Sequence, residues 1–225
     1  VISTGKPVVL VLNNGKPVVL SNAASNIPAV MTLHYAGQQT GTALAEILFG
    51  KVNPSGKLTL SWPRTVGHIP AHYSQHGSSL VFDYLDSPNS PQYAFGHGLS
   101  YTTFAYSDVS VSKDAIKKGT TVDVAFTLKN TGRKPGTEIS QLYVSGEEFP
   151  IARPTLELKG FCRTTLQAGE SARITIPLAA DDLFFHNIAL QRVLPEGKYL
   201  LRVGGSSASL SEPVTVKTVS SSSSP

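Results

Sequence analysis

Val122, Val124, Phe126 and Leu128 alternate with Thr121, Asp123, Ala125 and Thr127 along one unbroken stretch. Successive side chains of a strand point to opposite faces, so this period of two commits the stretch to a β-strand with one face in a core. Ala172, Ile174, Ile176 and Leu178 repeat the pattern. The apolar segments Ile139–Val144, Leu156–Phe161 and Tyr199–Val203 fall between turn signals such as Asn130-Thr131-Gly132. Short strands spaced in this way predict an all-β, two-sheet sandwich of the immunoglobulin-like or fibronectin-type kind over residues 101–218. The low-complexity run Ser220–Pro225 predicts a disordered, Ser-rich tail over 219–225.

Residues 1–64 follow a different pattern. Val8–Leu12 reads Val-Val-Leu-Val-Leu, a continuous apolar run typical of a strand buried on both faces of a parallel sheet. Asn13-Asn14-Gly15 turns the chain, and a second apolar run over Ile27–Tyr35 predicts another such strand from about Ala29, ending at Ala36-Gly37. Ala43, Leu44, Ile47 and Leu48 then form the stripe of an α-helix between Thr40 and Gly50, with Thr40 or Thr42 as its cap and Gly50 at its left-handed end. Asn53-Pro54-Ser55-Gly56 is a turn, and Lys57–Trp62 reads as a short strand. Strand, strand, helix, strand is part of an open α/β sheet, and one helix cannot cover both faces of such a sheet. The missing layers are therefore expected from preceding sequence, an expectation that the immediate entry into a strand from Val1 supports.

Residues 65–100 hold much of the Pro, Gly, Ser and His with little periodicity and read as a long connecting loop. His68, His72 and His76 recur every four residues, as ligands on one helical face would, but Pro70 lies between them and breaks such a helix, so no metal site is expected. Asp83 and Asp86 could be an acid and base pair, yet Pro88 and Asn89 beside them favour solvated loop carboxylates. Gly96-His97-Gly98 lacks the following helix of a phosphate cradle and reads as a turn. Gly37-Gln38-Gln39 does precede a helix but reads as a tight strand-to-helix turn. Glu46, the acid of the expected helix, lies off its apolar stripe and has no evident partner.

The 225 residues suit two modest domains, and 40% hydrophobic against 15% charged residues describe a folded globular chain. The net charge of +4 is scattered: Lys117-Lys118 and Arg133-Lys134, its densest spots, sit beside turn residues, so no nucleic-acid groove is expected. Cys162 is the single cysteine, which rules out an intramolecular disulfide and fits a small buried hydrophobe beside Phe161. No apolar run approaches the roughly 18 residues of a bilayer span, so no membrane partner is expected. The residues by themselves assign no catalytic, cofactor-binding or metal-binding side chain.

Several stretches together resemble the C-terminal portion of family 3 glycoside hydrolases, the β-glucosidase and β-xylosidase group. They are Val8–Val18, the helix stretch Ala36-Gly-Gln-Gln-Thr-Gly-Thr-Ala-Leu-Ala-Glu-Ile-Leu-Phe-Gly50, Asn53–Leu58 with Trp62-Pro63, and Tyr93–Phe104. Asn130–Gly132, Gln141–Tyr143, Pro154–Phe161 and Gly169-Glu170 continue the resemblance, which covers about residues 5–210. It implies the C-terminal half of an open α/β sandwich domain over 1–64, the connecting loop over 65–100 and a fibronectin type III-like domain over 101–218. It also implies a secreted or periplasmic enzyme that hydrolyses β-linked glucosides or oligosaccharides with retention. Such chemistry needs two carboxyl groups about 5 Å apart. In the family the nucleophilic Asp lies on a barrel and the acid/base Glu on an earlier loop, so this chain is expected to supply scaffold and pocket rim without a catalytic residue or cofactor, and to be inactive alone. Ala36 and Gln39 depart from the family's usual Pro and Glu. The alternative is a stand-alone carbohydrate-binding or adhesion module, which needs an exposed aromatic platform. Phe126, Tyr143, Phe161 and Tyr199 are expected in the core, which leaves Phe184-Phe185 as the platform candidate.

Overall fold

The computed structural model describes residues 2–20, 26–76, 83–147, 149 and 152–219. It is mostly β, with one α-helix among the described residues. Thirteen strands run in order: β1 (Val9–Leu12), β2 (Ala29–Thr32), β3 (Phe104–Val111), β4 (Ala115–Ile116), β5 (Thr121–Asn130), β6 (Gly136–Glu147), β7 (Glu157–Leu166), β8 (Ser171–Ala179), β9 (Phe185–His186), β10 (Arg192–Val193), β11 (Gly197–Ser206), β12 (Ser209–Leu210) and β13 (Val214–Thr218). Helix α1 (Thr40–Leu48) follows β2. The tail beyond Val219 lies outside the described residues.

Two sheets form the sandwich. One orders its strands β4-β13-β11-β6-β7, with β12 added on β11, and the other orders them β3-β5-β8. The alternation in β5 does what its period requires: Val122, Val124, Phe126 and Leu128 are fully buried, opposite Leu178, Ile176, Ile174 and Ala172 of β8. Leu142, Val144, Tyr199, Leu201 and Val203 supply the facing layer from β6 and β11. Cys162 is half-buried and packs against this cluster, as a small hydrophobe would.

Residues before Tyr101 are organised differently. β1 and β2 pair in parallel, Val9 with Ala29 through Leu12 with Thr32. Neither strand is buried on both faces as its apolar run led us to expect: Val9 is 46% exposed and the rest are half-buried or exposed. No further strand of the described residues joins this pair. Helix α1 forms where its stripe lies but has no buried residue. Its N-cap is Gln39 and no side chain caps it; the Thr40 hydroxyl instead donates back to the Gly37 carbonyl, so the Thr cap expected from sequence does not form. Gly50 does end the helix in the left-handed region, at φ +73°.

Lys57–Trp62 is not a strand. Its backbone pairs with the 93–97 stretch through Leu58 N to His97 O, Gly96 N to Leu58 O and an isolated Trp62–Tyr93 bridge. The run bends at Thr59-Leu60 and meets a loop where a sheet neighbour would be, so no ladder propagates. Phe161 is a second correction: it is 69% exposed, because β7 turns it outward opposite Gln141 rather than into the core.

Candidate functional site

The segment before Tyr101 is fastened to the sandwich by polar side chains. Lys57 Nζ donates to both Glu138 oxygens at 3.0 and 3.2 Å, and the Tyr106 hydroxyl donates to Oε1 at 3.0 Å. The ion pair is largely desolvated, with side chains 14% and 7% exposed. Burial first, then the Glu138 charge, pushes the Tyr106 phenol well above its ordinary value, so it stays a donor to the carboxylate. Asn53 bridges in the same place: its amide donates to the Pro135 carbonyl, and its Oδ1 accepts from Ser100 Oγ and Tyr101 N. The Tyr101 hydroxyl reaches back to the Ile47 carbonyl at the end of α1, at 2.7 Å.

Gln141 forms the second fastening. Its Nε2 donates to the Gly96 and Gly205 carbonyls at 3.2 and 2.7 Å, while its Oε1 accepts from Tyr143. Gly96 sits at φ +78°, and a Cβ there would run into the Gln141 amide, so glycine is required twice over. Next to it, His97 stacks on Tyr93 at 5.4 Å. Burial, then the nearby Lys57 charge, lowers the His97 pKa below 6.5 and keeps the imidazole neutral.

Of the described residues between 65 and 98, Tyr73 lies against both β6 and β7. Tyr73 stacks on Phe95 at 4.1 Å, meets Tyr143 edge-on at 6.1 Å, and accepts from Leu158 N at 3.2 Å. His76 bridges Pro154, and Thr155 N donates to the Gln75 carbonyl. Between this segment and the sandwich lies a cavity of about 320 Å³, whose wall includes Ser61, His68, His72, Tyr84, Leu156 and Ser207.

The three histidines do not converge. His68 is buried and stacks on Tyr84 at 4.8 Å, whereas His72 and His76 are exposed, and no group of three potential metal ligands occurs among the described residues. Asp83 and Asp86 are exposed; Asp83 accepts from Asn89 N in a local turn, the role of a loop carboxylate. Glu46 pairs with the exposed Lys51, a partner that sequence reasoning missed. Phe184 and Phe185 are half-buried, and each carries a guanidinium, Arg192 at 4.2 Å and Arg153 at 4.4 Å. A face already covered by an arginine is a poor platform for a sugar ring. Sequence reasoning also missed Lys57, Glu138, Asn53 and Gln141 as one junction. Each lies in or beside a quoted motif stretch, but their pairing across some 80 residues leaves no periodic signal.

The described residues thus form a two-sheet fibronectin-like sandwich, tied through buried polar side chains to the segment that carries a parallel strand pair and a helix. Residues 1–101 match the glycosyl hydrolase family 3 C-terminal domain, and residues 138–207 match the fibronectin type III-like domain. A periplasmic β-glucosidase of Salmonella typhimurium is 37% identical over 92% of this chain and 28% of its own length. A β-xylosidase of Formosa agariphila is 39% identical over 91% of this chain and 29% of its own length. Among solved structures, a β-glucosidase from Erythrobacter marinus superposes with a TM-score of 0.91 at 33% identity, over 97% of this chain and 29% of that one. A β-glucosidase from Listeria innocua in complex with glucose gives 0.88 at 35% identity, over 96% of this chain and 31% of that one. The chain belongs to glycoside hydrolase family 3, as its C-terminal portion, and spans under a third of the curated relatives it matches.

Proposed function

We propose that this chain is the scaffold and pocket rim of a retaining, exo-acting β-glucosidase, with the nucleophile and the acid/base carried on other parts of the enzyme. The observation that carries the reading is the superposition on β-glucosidases along almost the whole chain, at a TM-score of 0.91. The unpartnered β1–β2 pair and the uncovered α1 support a finer reading, in which residues 1–64 are the C-terminal half of an open α/β sandwich, 65–100 a connecting loop and 101–218 the fibronectin type III-like domain. Substrates are then β-linked glucosides or oligosaccharides, bound mainly by the barrel. A periplasmic relative supports a secreted or periplasmic location, and no helix of the described residues is long and apolar enough to cross a membrane.

Hydrolysis of chromogenic β-glucoside and β-xyloside, by this chain and by the product of its complete reading frame, tests the proposal. The longer polypeptide is expected to turn over and this chain is not. Turnover by this chain after removal of contaminating glycosidase would overturn the scaffold reading, since a working carboxylate pair would then lie within it.

A further inference from the structure

The turn that leaves β1 carries a reactive amide. Asn14 is the one asparagine in the sequence that a glycine follows. Asparagine is among the thermolabile side chains, because the backbone nitrogen of the next residue can attack its carboxamide. A side chain on that next residue obstructs the approach, and a backbone hydrogen bond ties the nitrogen up. Gly15 presents neither obstacle: it has no Cβ, it is exposed, and its N–H has no hydrogen-bond partner among the described residues. Asn130 is the opposite case. It is fully buried, and the nitrogen of the β-branched Thr131 that follows it donates to the Thr103 carbonyl at 2.8 Å.

The carboxamide of Asn14 is also polarised. The hydroxyl of Thr32, the last residue of β2, donates to Asn14 Oδ1 at 3.0 Å, while Asn14 Nδ2 donates to the Lys16 carbonyl. When a nitrogen adds to Cγ, negative charge gathers on Oδ1, which the Thr32 proton already faces. We propose that Asn14 is a site of spontaneous deamidation and that Thr32 promotes the reaction by stabilising this oxyanion. The Gly15 nitrogen forms a bond to Asn14 Cγ and loses its proton; the Cγ–Nδ2 bond breaks, and ammonia departs with that proton. The five-membered imide then takes up water at either carbonyl and opens to aspartate or isoaspartate. Both products lose the amide hydrogens that reach the Lys16 carbonyl, and isoaspartate adds a methylene to the main chain, so the side-chain link from the turn to β2 is broken. The reaction needs no glycosidic chemistry and stands or falls separately from the proposed glycosidase role.

Peptide mapping by mass spectrometry, with an isoaspartate-specific methyltransferase as a second readout, tests the site in the folded 225-residue chain held at mildly alkaline pH. First-order conversion of Asn14 is expected, with isoaspartate in excess. Thr32→Val should slow it roughly two- to tenfold, the rate equivalent of one hydrogen bond, and Thr32→Ser, which keeps the hydroxyl, should leave it near the original rate. In urea, where the Thr32–Asn14 bond is gone, the original chain and both variants should convert alike. An Asn14 that stays intact in the folded chain over a period that converts it in urea overturns the site. A rate in folded Thr32→Val that equals or exceeds the original overturns the role of Thr32, because its hydroxyl would then restrain the amide and not activate it.

Discussion

Sixteen apolar residues between Ile116 and Val216 form one buried cluster, whereas before Tyr101 Leu20 and Trp62 are the buried large apolar side chains among the described residues. The sandwich brings both of its facing layers from its own strands. The preceding segment brings strands and a helix whose apolar faces find little to cover them: Tyr35 is 79% and Phe49 90% exposed. Regular structure and a hydrophobic core are thus separable. The first region is tied to the second by hydrogen bonds through Lys57, Asn53, Gly96 and Tyr101, while β1 and β2 hold each other in a parallel ladder.

Core truncation should widen the contrast most. Phe126 is fully buried, so Phe126→Ala is expected to destabilise the sandwich by about 3–5 kcal/mol. Urea denaturation followed by near-ultraviolet signals reads this directly, and a loss below about 1 kcal/mol would mean that the two sheets are not packed as described.

The junction comes next. Removing one member of a buried ion pair leaves the other charge desolvated, and Glu138→Ala should cost about 3 kcal/mol by stranding the Lys57 ammonium. Replacing both, as Lys57→Met with Glu138→Leu, should recover most of that loss, since well-packed apolar groups can stand in for such a pair. If the double variant is as unstable as the single one, Tyr106 and the Gly98 carbonyl, not the pair, hold the two regions together.

His97 gives a smaller effect that depends on pH. Its folded pKa lies below the unfolded value of 6.5, so the unfolded chain binds the proton more readily. The stability linked to it is present above pH 6.5 and is lost as pH falls from there towards the folded pKa. His97→Gln should therefore flatten the part of the Tm profile just below pH 6.5, and adding salt should weaken the part of the shift that comes from Lys57. A variant with an unchanged profile would place His97 in solvent.

How much of this was legible beforehand follows from the range of the forces involved. Alternation in β5 and β8 is a local signal, and those strands formed with their predicted inward faces. The helix and the two parallel strands were equally local, and all three formed between the expected turns. Phe161 misled because one residue of register decides which face it takes, and a shift between Leu142 and Tyr143 in the β6–β7 pairing intervenes. Lys57–Trp62 misled because a short run makes a strand only where a sheet neighbour exists, and this one bends at Thr59-Leu60 beside a loop. The Lys57–Glu138 pair joins residues 81 positions apart, and no spacing rule connects them.

The smallest effect is expected where the largest apolar side chain stands free. Phe49→Ser removes a ring that is 90% exposed, so in this chain it should change unfolding free energy by no more than about 0.5 kcal/mol. In the product of the complete reading frame the same substitution meets a different environment if the α1 end is covered by preceding sequence, as the proposed half-sandwich requires. The cost should then rise to about 3 kcal/mol or more, the range for losing a buried aromatic ring. Equal, small effects in both proteins would leave α1 as bare in the longer enzyme as it is here, and the uncovered faces of β1, β2 and α1 would need a different partner.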